Sequence, residues 1–170
     1  SAADHLASWI NTTDPVLLAL DAPLGWPQPL GASLAGHRAG DELLVAPNDI
    51  FRRATDRFTQ RTLGKTPLDV GADRIARTAH AALHLLGELR RRLDQPIPLA
   101  WSPQLSRGIS AIEVYPAATL DVWGIRSSRY KNPEQVAERR EIIAALRHQL
   151  VLPSDVTVLE QNADALDAAV

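Results

Sequence analysis

Carboxylates in three places of this sequence could do chemistry. Asp21 stands in Leu18-Ala19-Leu20-Asp21-Ala22-Pro23-Leu24-Gly25, directly after the apolar run Val16 to Leu20 and directly before a stretch rich in Pro and Gly. Five consecutive apolar residues have the length and composition of a strand buried on both faces, as in a parallel sheet. A carboxylate where such a strand gives way to a loop lies on the edge at which open α/β sheets bind ligands. If buried there it must be paired, protonated or metal-bound. The plainer reading is an Asp that caps the following turn.

Asp164 and Asp167 are three residues apart in Asp164-Ala165-Leu166-Asp167. On a helix that spacing puts both on one face, near enough to repel unless a cation or a base lies between them. The same spacing also occurs on ordinary solvated helix faces. Glu113, in Ile112-Glu113-Val114-Tyr115-Pro116, falls inside a second apolar run. Strand alternation sets it on the face opposite Ile112 and Val114, and a doubly buried strand has no solvent face to receive it. It needs a partner: a metal ion, or an arginine such as Arg53 or Arg57 in an ion pair.

Other chemistries are poorly served. There are no cysteines, so disulfides and thiolate metal sites are excluded and carboxylates and histidines are left as protein metal ligands. His80 and His84 form a helical i, i+4 pair suited in principle to zinc, but no Glu follows His80 as the zinc-protease pattern requires, and a surface or packing role is the expectation. A Gly-x-Ser-x-Gly elbow, a phosphate-binding loop and a Gly-rich dinucleotide loop are all absent. A dehalogenase-like phosphatase would want a second Asp two residues after Asp21, where Pro23 stands.

The elements that must position these groups alternate in type. Leu6, Trp9 and Ile10 predict a short helix over 3–10, ended by a turn through residues 11–15. A strand follows over 16–20, then a Pro/Gly loop over 22–36, which is rich in residues that interrupt regular structure. Residues 49–62 read as partly helical, anchored by Ile50, Phe51 and Phe58. Residues 73–93 give the clearest helix, with Ile75, Ala79, Ala82, Leu83, Leu86 and Leu89 on one face. A second strand is expected over 108–115. Asn132 as cap and Pro133 at the first helical position open a helix running to Leu150, and a last helix spans 162–170. Strands alternating with helices imply a layered α/β architecture.

A chain of 170 residues is the size of one domain with a real core. No apolar window is long enough for a membrane helix and the N-terminus does not read as an export signal, so the expected location is cytoplasmic. The net charge of −2 is not that of a protein that coats nucleic acid. Cations do concentrate over 52–65 and 126–131, and Arg90, Arg91 and Arg92 end a helix, where they suit its dipole.

Taken in order, Leu-Asp-Ala-Pro-Leu-Gly-Trp-Pro, Phe-Arg-Arg-Ala-Thr-Asp, Glu-Val-Tyr-Pro, Tyr-Lys with an Arg-rich helix, and Asp-Ala-Leu-Asp-Ala resemble a domain-of-unknown-function family whose members are regarded as predicted nucleases with an RNase H-like, RuvC-type fold. The resemblance runs from about residue 15 to the end. It implies a three-layer α/β fold, a central mixed sheet with helices on both faces, and a carboxylate cluster binding Mg²⁺ or Mn²⁺. Asp21 then matches the acidic residue at the end of the fourth strand, and Asp164 and Asp167 the paired aspartates of the C-terminal helix. Glu113 joins them as a catalytic candidate. Arg53, Asp56 and Lys131 fall on other motif positions, with Arg53 or Lys131 suited to hold a phosphate. Two divalent ions about 4 Å apart can neutralise the attacking and leaving oxygens of a phosphodiester.

Such folds open with a three-stranded meander whose first strand carries an essential Asp, and no such segment precedes residue 15 here. The resemblance therefore implies one domain over 1–170, incomplete at its N-terminus, with its last helix running out at Val170. The expected function is a metal-dependent nuclease or phosphodiesterase. The alternative is a non-catalytic RNase H-like module that binds nucleic acid or a protein.

Overall fold

A computed structural model, describing residues 1–10, 14–105 and 107–170, turns the apolar run into strand β1 (Pro15–Leu20). Of the turn expected over 11–15, Asn11, Thr12 and Thr13 lie outside the described residues, and Pro15 already opens the strand. The chain is mixed α/β and divides into two compact units, Ser1–Val114 and Tyr115–Val170.

In the first unit β1 pairs in parallel with β2 (Gly108–Glu113), Val16 opposite Ile109 and Leu20 opposite Glu113. On the far edge of β2, Ala111 exchanges backbone hydrogen bonds with Pro98 and Ala100, so β2 is flanked on both sides. Helices α1 (Ala2–Trp9) and α5 (Asp73–Leu93) pack on each other. Ala3, Leu6, Leu86 and Leu89 form one core with Val16, Leu18, Ile109 and Ala111 of the sheet. Ala79, Ala82, Leu86 and Leu89 are the buried positions of α5, the three-and-four spacing of an amphipathic helix. The triple arginine at its end is partly tied down: Arg90 donates to the Ile97 carbonyl and Arg92 to Asp4.

Burial of β1 on both faces is not what forms. Exposure alternates along the strand, and Leu17 stays 42% exposed, because only Val16, Leu18 and Leu20 face the packed core. Run length alone does not distinguish a strand with two covered faces from one with a single covered face.

The Pro/Gly stretch also holds a short helix, α2 (Gln28–Leu34), where Pro29 sits in the first turn and so removes no needed N–H donor. The mixed stretch beyond it splits into α3 (Pro47–Phe51) and α4 (Ala54–Leu63), broken at Arg52 and Arg53.

The second unit is helical: α6 (Pro116–Val122), α7 (Val136–Leu146), α8 (Thr157–Gln161) and α9 (Ala163–Ala169). Leu120, Ile125, Tyr130, Ile142, Ile143, Leu146 and Leu166 form its core. The helix expected from Asn132 begins only at Val136. Asn132 and Pro133 instead lie in a turn, where Asn132 O accepts the Gln135 N–H and the carbonyls of both accept from the guanidinium of Arg139. Among the described residues, no helix is long and apolar enough to cross a membrane.

Candidate functional site

In the first unit the chemistry gathers where β1 and β2 end side by side. Asp21 follows β1 directly and is exposed. Three residues on, the Leu24 N–H donates to Glu113 Oε2 at 3.1 Å, which pins the loop that carries Asp21 to the end of β2. Glu113 is held in turn by Arg53, with Nη1 2.5 Å from Oε2 and Nη2 2.7 Å from Oε1. Of the two partners open to Glu113 from sequence, metal or arginine, the described structure holds the arginine.

Arg53 also grips Asp56, through Nε to Oδ2 at 3.0 Å and Nη2 to Oδ1 at 2.7 Å. Asp56 accepts the backbone N–H of Arg53 as well, at 2.8 Å, closing the first turn of α4. One guanidinium thus bridges two carboxylates in the forked geometry particular to arginine. Burial works against the charge of Arg53, but the hydrogen bonds it donates to Glu113 and Asp56, with their negative charge, outweigh it and hold the guanidinium pKa above its ordinary value. Asp56 is itself buried, so losing Arg53 would strand a carboxylate away from water.

In the second unit Asp164 and Asp167 lie on α9, whose start is capped by the Asn162 side chain accepting from the Asp164 and Ala165 N–H groups. Their environments differ despite the shared spacing. Asp164 is exposed, and its carboxylate takes no partner among the described residues. Asp167 is buried and doubly engaged: the hydroxyl of Tyr130 donates to Oδ1 at 2.6 Å and Lys131 Nζ lies 2.7 Å from Oδ2. Lys131 lies on Asp167 alone and not between the two acids.

Arg139 escaped sequence reasoning. The residue is 1% exposed and, among the described residues, meets no carboxylate. It donates instead to four carbonyls, those of Tyr130, Asn132, Pro133 and Glu160, at 2.6 to 2.9 Å. These bonds fix the backbone on both sides of Lys131. The signal was present: Arg139 shares its helix stripe with Ile142, Ile143 and Leu146, and a cation at an apolar position of an amphipathic pattern announces a buried polar anchor.

The described arrangement therefore joins Arg53, Asp56 and Glu113 in one network, and Lys131 and Asp167 in another. Among the described residues no group of three or more His, Asp or Glu side chains is gathered as a ready-made metal cage. The imidazoles of His80 and His84 stack at 6.5 Å on α5.

A family model described as "Protein of unknown function (DUF429)" matches residues 2–170. No curated protein and no solved structure matches the chain.

Proposed function

The chain belongs to that family of proteins of unknown function, and we propose that it is a metal-dependent nuclease or phosphodiesterase of RNase H-like fold, acting on nucleic acid. The observation that carries this reading is Asp21: an exposed carboxylate directly beyond β1, at the ends of a parallel strand pair, on a loop fastened by Glu113. That edge is the ligand-binding edge of α/β sheets.

Asp21, Asp164 and Asp167 are the metal ligands in this reading, and Mg²⁺ or Mn²⁺ is the ion. Carboxylate oxygens are what these hard cations take, and among the described residues no three such side chains are gathered, so the fit is one of donor type only. Such an ion would supply charge neutralisation at the phosphodiester oxygens. Glu113, Arg53 and Asp56 are engaged with one another, so their part is to hold the loop of Asp21 in place. Lys131, half-exposed, is the cation suited to a substrate phosphate.

The second reading is a non-catalytic RNase H-like module that binds nucleic acid or a protein. It is favoured by one observation: Glu113 and Asp167 are already neutralised by the chain's own cations.

The two are separated by Mn²⁺ titration and a cleavage assay on single-stranded, duplex, branched and RNA substrates. In the nuclease reading millimolar Mn²⁺ raises the melting temperature, and Asp21→Asn abolishes cleavage while leaving substrate binding intact. Cleavage that persists in Asp21→Asn sinks the site assignment. Binding without cleavage by the wild-type chain supports the module.

A further inference from the structure

We infer that Arg129 binds a phosphate group of the nucleic acid, presented for it by a turn that the second unit holds in place from inside. The inference rests on the nucleic-acid reading above and names a contact that reading lacks.

Residues 126–131, Arg-Ser-Ser-Arg-Tyr-Lys, form one of the stretches where the chain gathers its cations. Their side chains are not engaged alike. Lys131 is answered by Asp167 at 2.7 Å, and Arg126 Nε donates to the Ser128 hydroxyl at 3.1 Å. Arg129 is exposed, and among the described residues its guanidinium makes neither a hydrogen bond nor an ion pair.

The backbone makes that lack of a partner informative. Arg129 has a φ of 63°, in the left-handed region where a Cβ crowds the chain and where glycine is the easy occupant. Gly124, just upstream, takes the same region at φ 70° with no side chain to strain. At 129 the chain bears the strain and carries an arginine that nothing described within the protein uses. Residues held this way persist where their surroundings over-determine them, and they cluster at ligand-binding sites.

The surroundings do over-determine this one. The Arg129 carbonyl accepts the Asn132 N–H at 2.9 Å, closing a turn. Arg139 donates from the interior to the carbonyls of Tyr130, Asn132 and Pro133, and Tyr130 is a core residue whose hydroxyl is bound to Asp167. A ligand reaching Arg129 therefore meets a backbone already ordered, which favours binding. A guanidinium so presented suits a phosphate, whose oxygens it grips through two parallel N–H donors.

The anisotropy of a fluorescent oligonucleotide, single-stranded or duplex, followed across a salt series, tests this on the full chain. Arg129→Gln should weaken binding about tenfold, the scale of one charged hydrogen bond. It should also flatten the dependence of log affinity on log salt by about 0.7 to 0.9, as the loss of one phosphate contact does. Arg147→Gln removes another exposed cation of the same unit, one on ordinary helical backbone, and should leave both quantities near wild type. If the two variants behave alike, Arg129 is one surface charge among several, and the inference falls while the nucleic-acid reading stands. Arg129→Gly should lose binding to the same extent yet raise the urea midpoint, because glycine relieves the left-handed backbone. A lowered midpoint would show that the side chain serves the fold and would overturn the inference. A calorimetric titration with adenosine monophosphate separates the phosphate from the polymer. If wild type binds the mononucleotide, Arg129→Gln does not, and neither oligonucleotide is bound, the phosphate site stands and the nucleic-acid reading falls. If wild type binds none of these probes, both fall.

Discussion

Two carboxylate networks, one in each unit, solve the same electrostatic problem by different means. At Glu113 and Asp56 the cation is a guanidinium with a side chain 13% exposed, forked across both acids and donating from three nitrogens. At Asp167 it is a single ammonium, 53% exposed, sharing its acid with a tyrosine hydroxyl. The difference teaches which acids are structural. A bidentate, poorly exposed arginine has many bonds to lose and little water to replace them, so its carboxylates are fixtures. A half-exposed lysine has water waiting, so its ion pair is the weaker of the two.

The sharpest way to break this comparison is to remove Arg53. Arg53→Met leaves Asp56 buried and Glu113 without its fork, and the expected loss is about 3 kcal/mol of unfolding free energy. Urea denaturation would measure it. Arg53→Lys should recover only part, since an ammonium lacks the planar fork that reaches both carboxylates from three nitrogens. Full recovery would mean that the fork does not matter and that the two networks are alike.

The corresponding change in the second unit should cost less. Lys131→Met is expected to lower unfolding free energy by about 1 kcal/mol in the absence of metal, because solvent screening discounts a half-exposed pair and Tyr130 stays on Asp167. Lys131→Arg should be close to neutral. A loss as large as that of Arg53→Met, read by the same urea titration, would place Lys131 among the fixtures.

These networks also mark how far sequence reasoning reached. Asp21 was legible because an acidic residue after an apolar run breaks the pattern of a strand, and α5 because its buried residues repeat at helical spacing. Glu113 was half legible: the need for a partner followed from its strand, but the choice of Arg53 depends on a contact across 60 residues that no local pattern encodes. Asp164 and Asp167 looked equivalent, and only tertiary packing separates an exposed acid from a buried one. Helices α6 and α8, of 7 and 5 residues, are too short for periodicity to declare them. The start of α7 shifts because Asn132 closes a turn with the Gln135 N–H, a turn that Arg139 braces through the Asn132 and Pro133 carbonyls, and neither contact shows in a local pattern.

A third carboxylate extends the comparison to the surface. Asp4, exposed at the start of α1, accepts from Arg92 Nε at 2.6 Å and from the hydroxyl of Ser1. The Arg92 hydrogen bond, ahead of that from the Ser1 hydroxyl, holds its carboxyl well below its ordinary value of 3.8. A depressed folded-state value contributes stability that is fully present above the unfolded value and is lost as pH falls through the folded one. The wild-type chain should therefore exceed Asp4→Asn in urea midpoint at neutral pH, and the gap should close progressively on the acid side of 3.8. The effect should be the smallest of the three, because this pair is open to solvent and added salt will shrink it further. A gap that persists unchanged into acid would mean that Asp4 acts through the capping of α1 by hydrogen bonding alone, with no charge in the contact to Arg92.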